Sequence, residues 1–191
     1  MSGIGHNSGL AMEPGFAWRK HVWTKARKSL MPVLPVEVVR LRVKRATELG
    51  LPYKTYAGIR ASTGHDLIGF MFSSNALQIL RDRQQMPAPV AEKLAGLSNT
   101  RRTAIVHRPV SPSQVAAMPA IDAAFAAPGF SDSWSHMRDR IKNIIAADRN
   151  AADRLLMIGD TAFEREWAEA GRMAGYLPAE AFFFQASPVA T

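Results

Sequence analysis

Three short apolar runs in this chain hand over to polar side chains of kinds that do chemistry. Residues 67–73 (LIGFMFS) lead into Ser73, Ser74 and Asn75, residues 103–107 (TAIVH) into His107 and Arg108, and residues 154–158 (RLLMI) into Gly159 and Asp160. Runs of this length with such flanks read as buried β-strands. Ligands of open α/β sheets bind outside the carboxyl ends of parallel strands, so these residues would share one crevice. In it Arg108 would hold a phosphate ester, His107 would act as acid or base, and Asp160 would orient it or hold a divalent ion. Ser74 is the remaining candidate. Whether any reaction occurs stays open on the sequence alone.

Charge points elsewhere. Residues 1–60 carry eleven basic side chains against three acidic ones, which accounts for the whole formal charge of +8; residues 61–191 are balanced. A basic third on a neutral body fits a polyanionic partner, nucleic acid first, or charge spread over solvated helix faces. The residues expected to meet a nucleic acid or phosphate are Arg40, Arg42, Lys44, Arg45, Lys54 and Arg60, with Arg108 in the crevice. The loop 60–66 (RASTGHD) reads as a phosphate cradle of Arg60, Ser62, Thr63 and Gly64. It reads equally as a polar turn in which Gly64 supplies backbone freedom, the hydroxyls bond locally and Asp66 starts the strand.

Residues 158–164 (IGDTAFE) resemble the last acidic motif of haloacid-dehalogenase-type phosphatases, in which a strand ends in Gly-Asp and a second carboxylate follows. The resemblance implies a D-x-D nucleophile pair after an early strand, and the chain has no D-x-D. A T-x-x-E capping box already accounts for Thr161 and Glu164. The family is therefore not assigned. No Walker loop, G-x-G-x-x-G, H-E-x-x-H or G-x-S-x-G is present.

The elements that must position these residues follow from periodicity. A helix is expected over 36–49, with Val36, Val39, Val43 and Ala46 on one stripe, closed by Gly50 and Pro52. Residues 53–60 (YKTYAGIR) favour a strand. The spacing of Ala46, Gly50, Leu51, Tyr56 and Ile59 also suits a helix-turn-helix, which leaves that alternative open. Helices are expected over 18–30, with Trp23 as an anchor, and over 75–83, 90–97, 111–117, 131–148 and 161–174. The alanine-rich stretch to 127 adds a further helical turn or two, and Phe182–Phe184 dock on the body.

Strands alternating with helices make this an α/β protein: a layered domain with a small, mostly parallel sheet flanked by helices, preceded by a basic helical N-terminal segment. Residues 1–16 are expected to be a flexible arm, 17–185 a single domain with its basic helical part at 17–60, and 186–191 a tail. The absence of cysteine excludes disulfides, thiolate metal sites and cysteine nucleophiles. The five histidines lack metal-ligand spacing, so neither metal nor cofactor is expected. No early run suits a signal sequence or a membrane span, which fits a cytoplasmic protein. The leading expectation is a non-enzymatic, DNA-binding regulatory or accessory protein. The alternatives are an enzyme acting on a phosphorylated or nucleotide substrate through Ser74, His107, Arg108 and Asp160, and a protein–protein adaptor.

Overall fold

The computed structural model describes residues 34–184. The chain divides into two units, Met1–Val39 and Arg40–Thr191. The sheet, its later helices and most of the first helix belong to the second. The expected helix over 18–30, the N-terminal arm and the C-terminal tail lie outside the described residues.

Along the chain run α1 (Val36–Glu48), α2 (Tyr53–Thr63), β1 (Gly69–Ser73), α3 (Ala88–Ala95), β2 (Arg101–Val106), α4 (Pro112–Ala116) and β3 (Ala123–Ala126). They are followed by α5 (Trp134–Ala147), a 3₁₀ turn (Ala152–Arg154), β4 (Leu155–Gly159), α6 (Ala162–Gly171), β5 (Gly175–Pro178) and α7 (Ala179–Phe183). The five strands form one sheet in the order β3-β2-β1-β4-β5, and every pairing is parallel.

Alternation along the strands builds a core on each face of the sheet. Phe70, Phe72, Ala104, Val106, Leu156 and Ile158 point to one side, where they meet Tyr56 of α2, Leu94 of α3 and Phe182 of α7. Met71, Ile105, Leu155 and Met157 point to the other and meet Ile141 and Ile145 of α5 and Trp167 of α6. Strands buried on both faces read as continuous apolar runs, which is why 67–73, 103–107 and 154–158 stood out. Gly171 lets α6 approach α5, since a Cβ there would fall 2.7 Å from Ile141 Cγ2.

Several local expectations are corrected. Residues 53–63 are helical, not a strand, and Gly64 at φ +75 closes the helix; Tyr56 is fully buried, and tertiary burial overrides its β preference. Residues 75–83 form turns rather than a helix. The alanine-rich 123–126 is edge strand β3, paired to β2, so sheet pairing outweighs alanine's helix propensity. Helix α6 stops at Gly171, with Arg172 left-handed, and 175–178 form β5. Ser133, not Ser131, caps α5. The α1 stripe is not a uniformly buried face, for Val43 is 44% exposed whereas Ala46 is buried. Of the three terminal phenylalanines Phe182 is buried and Phe184 is exposed.

Candidate functional site

Strand β1 lies at the centre of the sheet. The chain builds outward on one side through β2 and β3, then returns to place β4 against the other side of β1. That reversal puts the topological switch point at the carboxyl ends of β1 and β4, the edge at which doubly wound folds receive ligands. The residues following β1 and β2 and those following β4 all reach this edge.

Its centre is Glu164, the third residue of α6. The side chain folds back over the helix start, and both oxygens are fully used. Oε2 accepts from the Asp160 and Thr161 backbone N–H groups at 2.6 and 3.0 Å. Oε1 accepts from Asn75 Nδ2 at 2.9 Å and faces His107 Nε2 at 2.9 Å. Thr161 Oγ1 completes the capping box by accepting the Glu164 N–H. Gly159 makes room, because a Cβ there would lie 3.0 Å from Glu164 Oε2 and 2.7 Å from the Tyr176 ring. Burial pushes the carboxyl pKa up, but hydrogen bonds from His107, the Asp160 N–H, Ser73 and the Thr161 N–H outweigh burial and hold it below the ordinary carboxylate value. Glu164 is therefore a carboxylate at neutral pH.

A carboxylate only accepts, so the proton between the two side chains sits on His107 Nε2. The other ring nitrogen, Nδ1, has no hydrogen-bond partner among the described residues. The His107 backbone N–H is held by Ser74 Oγ at 3.1 Å, and Ser73 Oγ accepts from the Ala76 N–H at 3.0 Å. The imidazole neighbours two aromatic rings, Phe130 nearly parallel at 5.5 Å and Trp167 tilted at 5.0 Å. Trp167 Nε1 is buried without a hydrogen-bond partner among the described residues.

Beyond His107 a cleft of about 680 Å³ opens between the ends of β2 and β3. Val106, Val110, Ala126 and Pro128 give it apolar walls, and Arg108, Asp132 and Arg140 line it with charge. Arg140 Nε donates to the Ala126 carbonyl at 3.3 Å, which places its guanidinium at the cleft.

A phosphate at a switch point ordinarily takes the helix N-terminus. Here the start of α6 is already filled by the protein's own Glu164 carboxylate, whose second oxygen holds His107.

Of the residues expected at the strand ends, His107 and Ser74 are brought together and Arg108 lines the adjoining cleft. Asp160 is exposed and contributes its backbone N–H; the carboxylate that orients His107 is Glu164. The position after β1 and beside β4, where a D-x-D pair would be needed, holds Ser73, Ser74 and Asn75. No carboxylate nucleophile stands there.

Residues 60–63 are the last turn of α2, and 64–66 form a short polar turn behind it. Thr63 Oγ1 accepts from the His65 N–H, Tyr56 donates to Asp66 at 2.8 Å, and Arg60 lies 3.6 Å from Asp66. The strand starts at Gly69 rather than Asp66. Arg45 is engaged internally, donating to the Leu67 carbonyl at 2.7 Å, the Asn99 carbonyl at 3.1 Å and Glu48 at 2.9 Å. Arg42 is partly buried, whereas Arg40, Lys44 and Lys54 are exposed.

Fold and site together define an all-parallel α/β domain of strand order 3-2-1-4-5 with a histidine–carboxylate pair at its switch point. No protein-family model, curated protein or solved structure matches the chain. Among the described residues no helix is long and apolar enough to cross a membrane.

Proposed function

We propose that this domain binds a small phosphorylated ligand at the carboxyl end of its sheet, with Arg108 and Arg140 meeting the anion and His107 supplying the proton-transfer group. One observation carries the reading. His107 lines the cleft, is locked through Nε2 to a buried carboxylate and has no hydrogen-bond partner at Nδ1 among the described residues, an arrangement that suits a general acid or base. The volume of about 680 Å³ suits a metabolite-sized ligand. Chemistry at the ligand would run through His107 and an activated water or hydroxyl rather than a carboxylate nucleophile. We place this activity in the cytoplasm, in keeping with a chain without cysteine.

Thermal unfolding with sugar phosphates and with their dephosphorylated counterparts tests the reading. It expects the phosphorylated compounds alone to raise Tm, and Arg108→Ala to remove the rise. Equal shifts from both sets would defeat it.

A second reading, nucleic-acid binding through α1 and α2, keeps one supporting observation. Residues 53–63 form a helix after a Gly50 turn at φ +60, with Ala46, Leu51 and Tyr56 buried at helix-turn-helix spacing. Its test is the salt dependence of oligonucleotide binding.

A further inference from the structure

Phe130 is the most exposed large hydrophobic residue among those described. The residue is 78% exposed, and it lines the cleft beside His107. An aromatic ring left in water forgoes the burial that ordinarily fixes such residues, and at the mouth of a cleft its free surface is available to a ligand. Yet Phe130 is held in place. One face lies almost parallel to His107, at an interplanar angle of 11°, and Phe163 packs beside it at 5.0 Å. Phe163 in turn meets buried Trp167 edge-on at 5.6 Å. The result is a supported aromatic plane at the mouth of the cleft.

A bare phosphate or a short polyol phosphate would leave the apolar walls and this ring without a partner. We infer that the ligand carries a planar heteroaromatic ring joined to its phosphate, as a nucleoside 5′-monophosphate does, and that the ring stacks on Phe130 while the phosphate meets Arg108 and Arg140. Asp132 also lines the cleft, and its Oδ2 accepts from the Gly129 N–H at 2.8 Å. Its carboxylate disfavours an anion nearby and suits a ribose hydroxyl or ring amino group. The phosphate therefore lies toward Arg108, and the ring and sugar lie toward the loop of Phe130 and Asp132. Phe130 is in this account a specificity residue, and the inference rests on the phosphorylated-ligand reading above.

Calorimetric titration of the full chain tests it. The probes are the 5′-monophosphates of adenosine, guanosine, cytidine and uridine, together with ribose 5-phosphate, adenosine and inorganic phosphate. At least one nucleotide is expected to bind more tightly than ribose 5-phosphate by about tenfold or more, the size of one lost ring-stacking contact. Phe130→Ala should weaken that nucleotide by a similar factor and leave ribose 5-phosphate unchanged; Phe130→Tyr should restore it. Because the ring is exposed, both variants are expected to fold, and their melting curves check this.

Ribose 5-phosphate binding as tightly as every nucleotide, or Phe130→Ala binding nucleotide like the native protein, would overturn the inference and leave the phosphate reading standing. Adenosine binding as tightly as its monophosphate would defeat the phosphate reading and spare the ring. No binding by any probe at millimolar concentration would overturn both.

Discussion

His107 Nε2 and Glu164 Oε1 lie 2.9 Å apart, and the two residues come from opposite sides of the central strand. His107 follows β2 and Glu164 opens α6 after β4, so the contact spans the switch point and ties the two halves of the sheet together. Glu164 is wholly buried and also takes two backbone N–H groups and Asn75. One carboxylate thus caps a helix, fixes a histidine tautomer and fills the place of an anion.

Removal of that carboxylate is expected to be costly. Glu164→Ala leaves His107, Asn75 and two backbone donors without an acceptor, and should cost about 3–5 kcal/mol in urea unfolding. Glu164→Gln, which keeps one carbonyl acceptor but turns an amide toward donors, should cost about 1–3 kcal/mol. A loss below about 0.5 kcal/mol for the alanine variant would show that the cluster does not hold the edge of the sheet.

The pH dependence follows from the direction of the Glu164 shift. Its folded pKa lies below the ordinary value of 4.5, so the carboxylate stabilises the protein at neutral pH. The contribution begins to fall as pH drops through that ordinary value and is gone once pH has passed the lower folded one. Native protein should therefore lose stability more steeply than Glu164→Gln over that acid range. Parallel curves for the two proteins would contradict the assignment.

The tautomer of His107 is directly observable. Two-bond proton–nitrogen correlation spectra of the neutral ring should show Nε2 protonated and Nδ1 carrying the lone pair. The opposite tautomer would turn the lone pair toward Glu164, and His107 could not then serve the cleft as proposed.

At the other end of the sheet a second buried carboxylate gathers hydrogen bonds from β2 and the loop after α5. Asp148 takes two hydrogen bonds from Arg101, one from Thr103 and one from Asn150. Asp148→Ala should destabilise the protein by about 1–3 kcal/mol. Ligand affinity per folded molecule should not change, and a selective loss of affinity would mean that the two ends of the sheet are coupled.

The basic residues of α1 and α2 divide in the same way. Arg45→Ala breaks bonds to two carbonyls and to Glu48 and should cost about 1–2 kcal/mol, whereas Lys44→Glu and Lys54→Glu should each stay within about 0.5 kcal/mol. If α1 and α2 meet a nucleic acid, the two lysine variants should each reduce the slope of log affinity against log salt by about 0.9. A native slope near zero would end that reading.

Much of the fold was legible because the central strands are buried on both faces. LIGFMFS, TAIVH and RLLMI are apolar at successive positions, and β1, β2 and β4 lie where those runs fall. The edge strands were not legible: AAFA and GYLP are short, partly exposed and weak in β-formers, so only pairing makes them strands. Residues 53–63 misled through Tyr53, Thr55 and Tyr56, since a buried tyrosine suits either period. The strand-end rule pointed to His107, Arg108 and Ser74, and the structure places all three at the carboxyl edge of the sheet. Glu164 was visible only as half of a capping box, because its partner His107 is 57 residues away in sequence. Phe130 gave no signal, as nothing local distinguishes a stacked ring from a loop aromatic.

The most direct test of the account is a proton–nitrogen correlation titration of the labelled chain with the tightest phosphorylated ligand found. Saturable shifts are predicted at His107, Arg108, Phe130 and Arg140, with little change in α1 and α2, and they should disappear in Arg108→Ala. No shift at millimolar ligand, or shifts gathered on α1 and α2 instead, would contradict a ligand site at the carboxyl end of the sheet.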